Sequence, residues 1–306
     1  MKVLLTGATG FIGSQLAQRL IAEGHEVAIV VRPESQLNIL QAVLPRIHQV
    51  HVYDGCYSSL LHALQEAQPE VVIHVASLFL AQHKPEDVAR LVESNLNFPT
   101  QLLEAMSQLG IKQLINTGTS WQHYQNEAYN PVNLYAATKQ AFEMLLAYYV
   151  EAQGFKAITL KLFDTYGPGD TRPKLFSLLR KTARSGETLR MSPGEQLLDL
   201  VYIDDVLDAY MLAMARLPEV TKANIYAVSN PASLSLRELV RIYGETVGRP
   251  VSVEWAGLPY RPREVLEPWT GHELVPGWLA RVALADGIVR MEQDWEICGL
   301  LVGSGT

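Results

Sequence analysis

The chain has 306 residues, of which 48% are hydrophobic and 19% are charged, and its formal net charge at pH 7 is −7. This composition is typical of a globular protein with enough apolar material for a large core. Because phosphate binding requires clustered positive charge and the chain has no run rich in Lys and Arg, we expect no nucleic-acid partner.

Cysteine content, histidine spacing and hydropathy bear on the class of protein. Cys56 and Cys298 are far apart and form no CxxC pair, so we expect neither a disulfide framework nor a zinc site. The eight histidines form no HExxH or similar pattern, so no metal is expected. The apolar run at the N-terminus is too short for a signal peptide, and no segment has the length of a membrane span. We therefore expect a cytoplasmic protein with no membrane partner.

The first half of the chain alternates short apolar runs with longer amphipathic ones. Apolar strands that alternate with helices predict a parallel sheet covered on both faces, in an α/β fold of the Rossmann-type doubly wound class. The predicted strands are Lys2–Thr6, Val27–Val31, His48–Tyr53, Val71–Val75, Gln113–Thr117 and Ala157–Leu162. The predicted helices are Phe11–Glu23, Leu91–Leu109 and Asn133–Glu151, which are stopped by Gly24, Gly110 and Gly154.

After Phe163 the pattern loosens, because glycine and proline become frequent. The helices predicted between these loops are Leu175–Ser185, Ile203–Arg216 and Ser235–Val247. We expect a dinucleotide-binding domain over residues 1–163 and a smaller C-terminal substrate-binding region over residues 164–306, with segments that return to the first domain. The pattern gives no account of the apolar, Gly-rich tail after Trp295.

A glycine-rich turn joins the first predicted strand to the first helix. Gly7, Gly10 and Gly13 form a GxxGxxG sequence there. Glycines let the backbone approach a pyrophosphate closely, and the helix N-terminus adds free N–H groups and the positive end of a dipole. Because the strand-turn-helix context is also right, we predict a dinucleotide site. Its further binding residues in this turn are Thr9, Phe11 and Ile12.

The end of the second strand bears on the choice of cofactor. An NAD site usually places an acid there to accept a hydrogen bond from the ribose 2′-hydroxyl, but this chain has Val31 followed by Arg32. An arginine suits the 2′-phosphate of NADP, so we predict NADPH/NADP over NAD. Ser35 is a candidate for a further contact. Asp54 is either an acceptor for the adenine amino group or an ordinary turn residue.

Tyr135 and Lys139 form a YxxxK pair in the third predicted helix. The spacing of four puts the phenol and the ammonium on one helix face. A phenol has an ordinary pKa of about 10, and a nearby cation stabilises its phenolate. Beside the glycine turn, the pair indicates a tyrosine acid–base group at a dinucleotide site. Without that turn, a packing tyrosine and an exposed lysine would be the better interpretation.

A hydroxyl group at the end of the fifth strand is expected to complete this site by hydrogen-bonding the substrate oxygen. Thr117, Thr119 and Ser120 are the candidates, and the residues alone leave the choice open. Trp121 and His123 follow in the same segment. Each of them either contacts the substrate or packs within the loop.

Three segments together resemble the extended short-chain dehydrogenase/reductases, the NAD-dependent epimerase/dehydratase family. They are TGATGFIG at 6–13, the YxxxK pair, and LFDTYGP at 162–168. Three longer stretches, at 116–124, 129–143 and 191–206, are similar to the subgroup of CDP-abequose and CDP-paratose synthases. Members of this subgroup use NADPH to reduce the 4-keto group of CDP-4-keto-3,6-dideoxyglucose, making sugars for O-antigen.

The resemblance implies a reaction, a substrate and an assembly. It implies reduction of the 4-keto group of a nucleotide-linked deoxyhexose, so the expected partner is a nucleotide-diphosphate sugar. The alternatives are an NAD-dependent 4-epimerase or dehydratase and, from another class, a non-catalytic NADP-binding sensor. Relatives often dimerise through the helix that bears YxxxK, which implies a homodimer.

The resemblance also implies roles for catalytic residues. Thr117 falls at the position of the family's catalytic Ser or Thr, with Thr119 as the alternative and a substrate-binding candidate. Tyr135 is the proton donor, and Lys139 is its partner and also binds the ribose. The implied cofactor-lining residues are Val75, Ala76 and Asn95.

The resemblance assigns one further substrate-binding residue, and three positions of the chain depart from the family pattern. Arg261 falls where the subgroup places an arginine on the sugar-nucleotide diphosphate, with Arg263 as the alternative. Asp164, a substrate-binding candidate, stands where many relatives have Asn, and Leu198 stands where many have an Arg that contacts the nucleotide. Val31 replaces the acid of NAD-retaining epimerases, which favours a reductase that exchanges NADPH.

Overall fold

The computed structural model describes residues 1–170, 172 and 174–303, and side chains as far as residue 296. The Cys298 side chain and the last three residues of the tail lie outside this description. The chain divides into two compact units. The first unit comprises Met1–Leu162, Leu207–Val228 and His272–Trp278. The second comprises Phe163–Val206, Ser229–Gly271 and the chain from Leu279 onward.

The regular elements alternate as the sequence predicts through the first half of the chain. The strands are β1 (Lys2–Thr6), β2 (Glu26–Val31), β3 (Gln49–Val52), β4 (Val71–His74), β5 (Gln113–Thr119), β6 (Lys156–Leu162), β7 (Asp164–Tyr166), β8 (Leu189–Arg190), β9 (Leu197–Leu198), β10 (Leu200–Tyr202), β11 (Asn224–Val228), β12 (Leu234–Ser235) and β13 (Val253–Glu254). The α-helices are α1 (Phe11–Ala22), α2 (Tyr57–Ala67), α3 (Val88–Val92), α4 (Phe98–Gln108), α5 (Leu134–Gln153), α6 (Leu175–Ser185), α7 (Ile203–Arg216), α8 (Leu236–Thr246) and α9 (Leu284–Gly303).

One parallel sheet organises the first unit, with strand order β11-β6-β5-β4-β1-β2-β3. Successive side chains of a strand point to opposite faces, and Val3, Leu4 and Leu5 of β1 are all buried. Both faces are therefore covered, which confirms the predicted doubly wound class. The chain order reverses at β1, which pairs with β2 and with β4, so the carboxyl ends of β1 and β4 lie side by side at the switch point.

The predicted helix over Leu91–Leu109 is interrupted. The structure has α3, then a π-helical turn over Glu93–Asn97, then α4. Pro99 lies in the first turn of α4 and has no N–H to continue the α-helical ladder, so the preceding turn widens. The wider turn buries the side chain of Asn95.

The structure differs from the sequence prediction at three further elements, where the local sequence pattern is weak. The sequence predicts neither α2 nor β11, and β5 runs two residues beyond the predicted end at Thr117. Those two residues pair with β6, as Gly118 with Lys161 and Thr119 with Leu162. Pairing with a neighbouring strand, and not local propensity, therefore sets the end of β5.

The second unit has short two-stranded sheets, formed by β7 with β10, β8 with β13, and β9 with β12. The tail as far as Gly303 belongs to α9, in which Gly287 contacts Tyr166 and Tyr202 so closely that a Cβ would meet both rings. Among the described helices, none has the length and apolar character that a membrane crossing requires. The described residues also hold no group of three His, Cys, Asp or Glu side chains placed to bind a metal ion.

Candidate active site

The glycine turn between β1 and α1 has no room for side chains at two positions. Gly7 adopts φ +77°, and a Cβ there would lie 2.6 Å from the backbone nitrogen of Ala76. A Cβ on Gly13 would overlap the carbonyl oxygen of Gly7. Gly10 donates its N–H to that same oxygen at 3.0 Å and is the N-cap of α1. Glycine therefore lets β1, the first turn of α1 and the segment after β4 approach one another closely.

The N-terminus of α1 fits the phosphates of a dinucleotide. No side chain of the described residues caps this helix, and its first turn carries no acid. The N–H groups in the first turn of a helix, with the positive end of the helix dipole, attract anions. The residues present at this position thus match what a dinucleotide cofactor requires.

Replacing Gly13 by alanine is expected to weaken both the fold and cofactor binding. The new methyl group must displace the Gly7 carbonyl, at a cost of about 1–3 kcal/mol in the free energy of unfolding. We expect the affinity for NADPH to fall at least tenfold, measured by fluorescence titration. Gly24→Ala is the control, because Gly24 has φ +83° with open space around it. That variant should lose stability only, and equal loss of affinity in both variants would contradict the role of the turn.

Arg32 lies in an exposed turn directly after β2. Its guanidinium Nε is 3.1 Å from a carboxylate oxygen of Glu34, and both side chains are about two-thirds exposed, at 67% and 66%. The hydroxyl of Ser35 accepts the Arg32 N–H at 3.0 Å. An exposed ion pair of this kind adds little stability, so Arg32 is held weakly and can exchange partners.

In the structure Asp54 has the contacts of a turn residue, which is one of its two interpretations. One carboxylate oxygen accepts the backbone N–H of Cys56 at 2.9 Å, just before α2 begins at Tyr57. This bond, together with the hydroxyl of Ser59, lowers the pKa of Asp54. The adenine contact stays a prediction.

Asn95 anchors the segment that follows β4. Its amide nitrogen donates to the carbonyl of Leu78 and to the Thr138 hydroxyl, both at 3.0 Å. Its amide oxygen accepts from the Leu78 N–H at 2.8 Å and from Ser77 at 3.2 Å. Since protein groups take both amide hydrogens and the oxygen, we expect Asn95 to serve the cofactor site by holding this segment, which begins at Val75 and Ala76.

The segment after β4 is tied to helix α5, which carries the YxxxK pair, at several points. The Asn133 side chain caps α5 by accepting the Ala136 N–H at 2.9 Å, and its amide donates to the carbonyl of Ala81 at 3.0 Å. The ring of Phe79 packs edge-on against Tyr135, with centroids 5.0 Å apart. These contacts fix the first turn of α5, where the half-buried Tyr135 lies.

Lys139 is buried one turn further along α5, with 2% of its surface exposed. Burial lowers its pKa from an ordinary 10.5 to about 8, and the negative charge of Glu143 opposes the shift. His74, fully buried behind it, has its pKa lowered well below the usual range by burial and by Lys139. Lys139 thus retains a positive charge at neutral pH in a setting where water screens it poorly.

A second buried lysine supports the same helix from β6. The Lys161 ammonium lies 3.2 Å from Glu143 and 2.6 Å from Nε2 of His123. The other ring nitrogen of His123 is 3.0 Å from the carbonyl of Glu127. Burial and the charge of Lys161 lower the pKa of His123 to about 4, so its ring is neutral at pH 7. Of the two interpretations of His123, the structure supports loop packing.

The three candidate hydroxyl residues at the end of β5 have different surroundings. The Thr117 hydroxyl is 2.6 Å from the phenol oxygen of Tyr210 on α7. The Thr119 hydroxyl instead accepts the Trp121 N–H at 3.3 Å as the cap of a 3₁₀ helix over Ser120–Gln122. The hydroxyl of Thr117 thus contacts a side chain from a distant helix, whereas that of Thr119 caps its own loop. The choice between the two as the catalytic hydroxyl stays a prediction.

In the second unit, Asp164 is an exposed side chain with a perturbed carboxyl group. Crowding by protein atoms raises its pKa, while the positive charges of Lys174, Arg261 and Arg172 oppose the shift. Arg261 donates to both carboxylate oxygens of Glu264, at 2.9 and 2.7 Å. The structure thus brings the two substrate-binding candidates of this unit, Asp164 and Arg261, into electrostatic range.

Sequence reasoning missed three residues of the first unit that support the site. Tyr210, Lys161 and Glu143 are all buried and all contact a predicted residue or its loop. The sequence spacing could have identified Glu143, because it falls four residues after Lys139 on the same helix face. No sequence pattern identifies Tyr210 and Lys161, since their contacts are with residues far away in the chain.

Comparison with known proteins identifies the family of the chain. The model of the NAD dependent epimerase/dehydratase family matches residues 3–229. The chain is 27% identical to a CDP-abequose synthase of Salmonella muenchen, over 95% of this chain and 96% of that one. It is 29% identical to a CDP-abequose synthase of Yersinia pseudotuberculosis, over 88% of this chain and 92% of that one.

The fold also has close counterparts among solved structures. The UDP-glucose 4-epimerase of Thermus thermophilus, in complex with NAD, superposes with a TM-score of 0.82 at 25% identity, covering 97% of this chain and 99% of that one. With the family model matching most of the chain, the protein is an enzyme of the extended short-chain dehydrogenase/reductase type. The chain belongs to the NAD dependent epimerase/dehydratase family.

Proposed function

We propose that this enzyme acts on a nucleotide-linked sugar and reduces the 4-keto group of a nucleotide-linked deoxyhexose with NADPH, as in the conversion of CDP-4-keto-3,6-dideoxyglucose to CDP-abequose or CDP-paratose. The observation that carries the proposal is the buried Lys139 one turn along α5 from Tyr135, on the helix that is tied to the segment after β4. The similarity to two CDP-abequose synthases supports the choice of substrate class.

In the proposed mechanism, each catalytic side chain has one task. NADPH, when bound, supplies a hydride to the keto carbon. Tyr135 gives its phenol proton to the oxygen as negative charge develops there. Thr117 donates a hydrogen bond to the same oxygen and so stabilises that charge. The ammonium of Lys139 favours the phenolate that remains on Tyr135.

Asp164 and Arg261 are proposed to bind the substrate. Arg261 offers a planar, fixed pair of donors suited to a diphosphate, and it must exchange Glu264 for the ligand. Asp164 is exposed and its pKa is raised, and carboxyl groups with a perturbed pKa are candidates for functional sites. We propose that it accepts hydrogen bonds from sugar hydroxyl groups.

Preference for NADPH over NADH is expected to depend on Arg32. Arg32→Ala should weaken NADPH binding about 10- to 100-fold, because the 2′-phosphate loses a charge-assisted bond. NADH binding should stay within about twofold, since NADH lacks that phosphate. Glu34→Gln should tighten NADPH binding about two- to threefold by releasing Arg32 from its ion pair. Equal losses for both dinucleotides in Arg32→Ala would contradict the assignment of NADPH.

The second candidate function is an NAD-dependent 4-epimerase. The similarity to a UDP-glucose 4-epimerase in complex with NAD favours it. It predicts that an oxidised cofactor copurifies with the enzyme and that turnover consumes no NADPH. The absence of an acid at Val31, at the end of β2, argues against it.

We also propose a cytoplasmic homodimer. Three apolar side chains project into solvent from one stretch of α5: Met144 is 66% exposed, Tyr148 59% and Leu145 38%. Exposed apolar side chains clustered on one helix suit an interface between copies of the chain. Light scattering of the purified protein, compared with that of Met144→Lys, measures the association.

The decisive experiment is NADPH oxidation, followed by its absorbance, with CDP-4-keto-3,6-dideoxyglucose prepared in situ. The dTDP- and GDP-4-keto-6-deoxy sugars serve as the comparison substrates. We expect turnover with the CDP sugar, and product NMR then separates abequose from paratose. Turnover with another nucleotide alone would keep the reductase chemistry and overturn the substrate. No oxidation with any sugar, together with bound NAD in the purified enzyme, would replace the proposal by the epimerase.

A further inference from the structure

A buried hydrogen bond joins Thr117 to a tyrosine that lies 93 residues further along the chain. The hydroxyl oxygens of Thr117 and Tyr210 are 2.6 Å apart. Tyr210 is fully buried and Thr117 is only 8% exposed, so little water reaches this bond. A buried side-chain pair that is not part of a regular backbone ladder requires an explanation, because each partner depends on the other for its hydrogen bond.

The direction of this hydrogen bond follows from the role proposed for Thr117, on which the inference rests. A threonine hydroxyl has one proton to donate and two lone pairs to accept with. If its proton is donated to the substrate oxygen, the bond to Tyr210 must run from the phenol to the threonine. Burial raises the pKa of Tyr210 above the ordinary 10, so the phenol keeps its proton throughout the neutral range.

We propose that Tyr210 is a positioning residue of the reduction. Its phenol O–H donates to the Thr117 oxygen and thereby leaves the Thr117 proton free to point at the substrate oxygen. Hydrogen bonds in a chain polarise one another, so the bond from Thr117 strengthens as charge develops on that oxygen. Neither Tyr210 nor Thr117 gives up its proton, and the proton found in the product still comes from Tyr135.

The test is the kinetics of Tyr210→Phe, which keeps the ring and removes only the hydroxyl. We expect kcat to fall about tenfold, while KM for the sugar and Kd for NADPH stay within about twofold. Tyr149→Phe is the matched control, because it removes another buried phenol hydroxyl of the first unit, bonded to Glu104 at 2.7 Å. Both variants should unfold at a slightly lower temperature, and Tyr149→Phe should keep its kcat.

A double variant separates positioning from a purely structural effect. In the Thr117→Val background, Tyr210→Phe should lower kcat no further, since the group it acts through is already gone. An unchanged or increased kcat in Tyr210→Phe overturns the inference, because it would mean that Tyr210 accepts the Thr117 proton. A tenfold loss that persists in the Thr117→Val background also overturns it.

Failure of this inference is distinguishable from failure of the proposed function. If the wild type oxidises no NADPH but contains NAD, the same variants are compared in single-turnover reduction of that NAD by UDP-sugars. A tenfold slower reduction in Tyr210→Phe would then support the role of Tyr210 while the ketoreductase proposal falls. If the wild type transfers hydride in neither assay, both are overturned, because Thr117 would have no reacting oxygen to serve.

Discussion

Replacing Tyr135 by phenylalanine is expected to lower kcat by at least about a thousandfold and to leave the Kd for NADPH nearly unchanged. The phenol supplies the proton in the proposed mechanism, and general acids of this kind contribute 10²- to 10⁴-fold. The ring itself packs edge-on against Phe79, and phenylalanine preserves that contact. The measurement is NADPH oxidation at saturating sugar, beside a fluorescence titration of NADPH.

The matched control is Tyr148→Phe, which removes the hydroxyl of an exposed tyrosine on the same helix. Its turnover should equal that of the wild type. Turnover of Tyr135→Phe within tenfold of the wild type would remove Tyr135 from the mechanism, and another group would have to supply the proton.

Replacing Lys139 by methionine is expected to make the protein more stable and nearly inactive. Lys139 is buried and its pKa falls from 10.5 to about 8, which corresponds to a cost on the order of 3 kcal/mol for keeping it charged. Methionine of similar length avoids this cost, and Glu143 keeps its ion pair with Lys161. We expect the free energy of unfolding at pH 7 to rise by about 1–3 kcal/mol and kcat to fall at least about a hundredfold.

The gain in stability should depend on pH in a specific direction. Lys139 has a lower pKa in the folded protein than in the unfolded chain, so the unfolded chain binds more protons between about pH 8 and 10.5. The stability difference between Lys139→Met and the wild type is therefore complete below pH 8 and shrinks as the pH rises toward 10.5. Wild-type turnover should decline over the start of the same range, because Lys139 loses its charge. Denaturant unfolding and initial rates across this range measure both effects.

Lys161→Met is the contrasting variant, because this lysine is equally buried, at 2% exposure, and is the direct ion-pair partner of Glu143. Removing one partner of a buried pair leaves a buried charge unpaired, so the free energy of unfolding should fall by several kcal/mol. A stability gain in both lysine variants, or a loss in both, would refute the distinction drawn here between a functional and a structural lysine.

Local patterns in the sequence were enough to predict the glycine turn before α1 and the helix that carries YxxxK. The GxxGxxG turn and the YxxxK pair each lie within about a dozen consecutive residues, so strand, turn and helix periodicity position their members. The same holds for the extent of this helix, which a run of apolar periodicity followed by Gly154 marks. Fold class follows from such patterns because alternating buried strands and helices admit few arrangements.

Tertiary structure alone decided which hydroxyl residue contacts Tyr210 and which buried lysine pairs with Glu143. Thr117 and Thr119 are both on β5 and both point to the same side of the strand, and the Tyr210 contact with Thr117 distinguishes them. Two contacts depend on how β6 and α7 pack beside β5 and α5. They are the contact between Thr117 and Tyr210 and the one between Lys161 and Glu143. Contacts between distant segments cannot be read from the sequence. The hydrophobic periodicity of each segment is the same whichever segment packs against it.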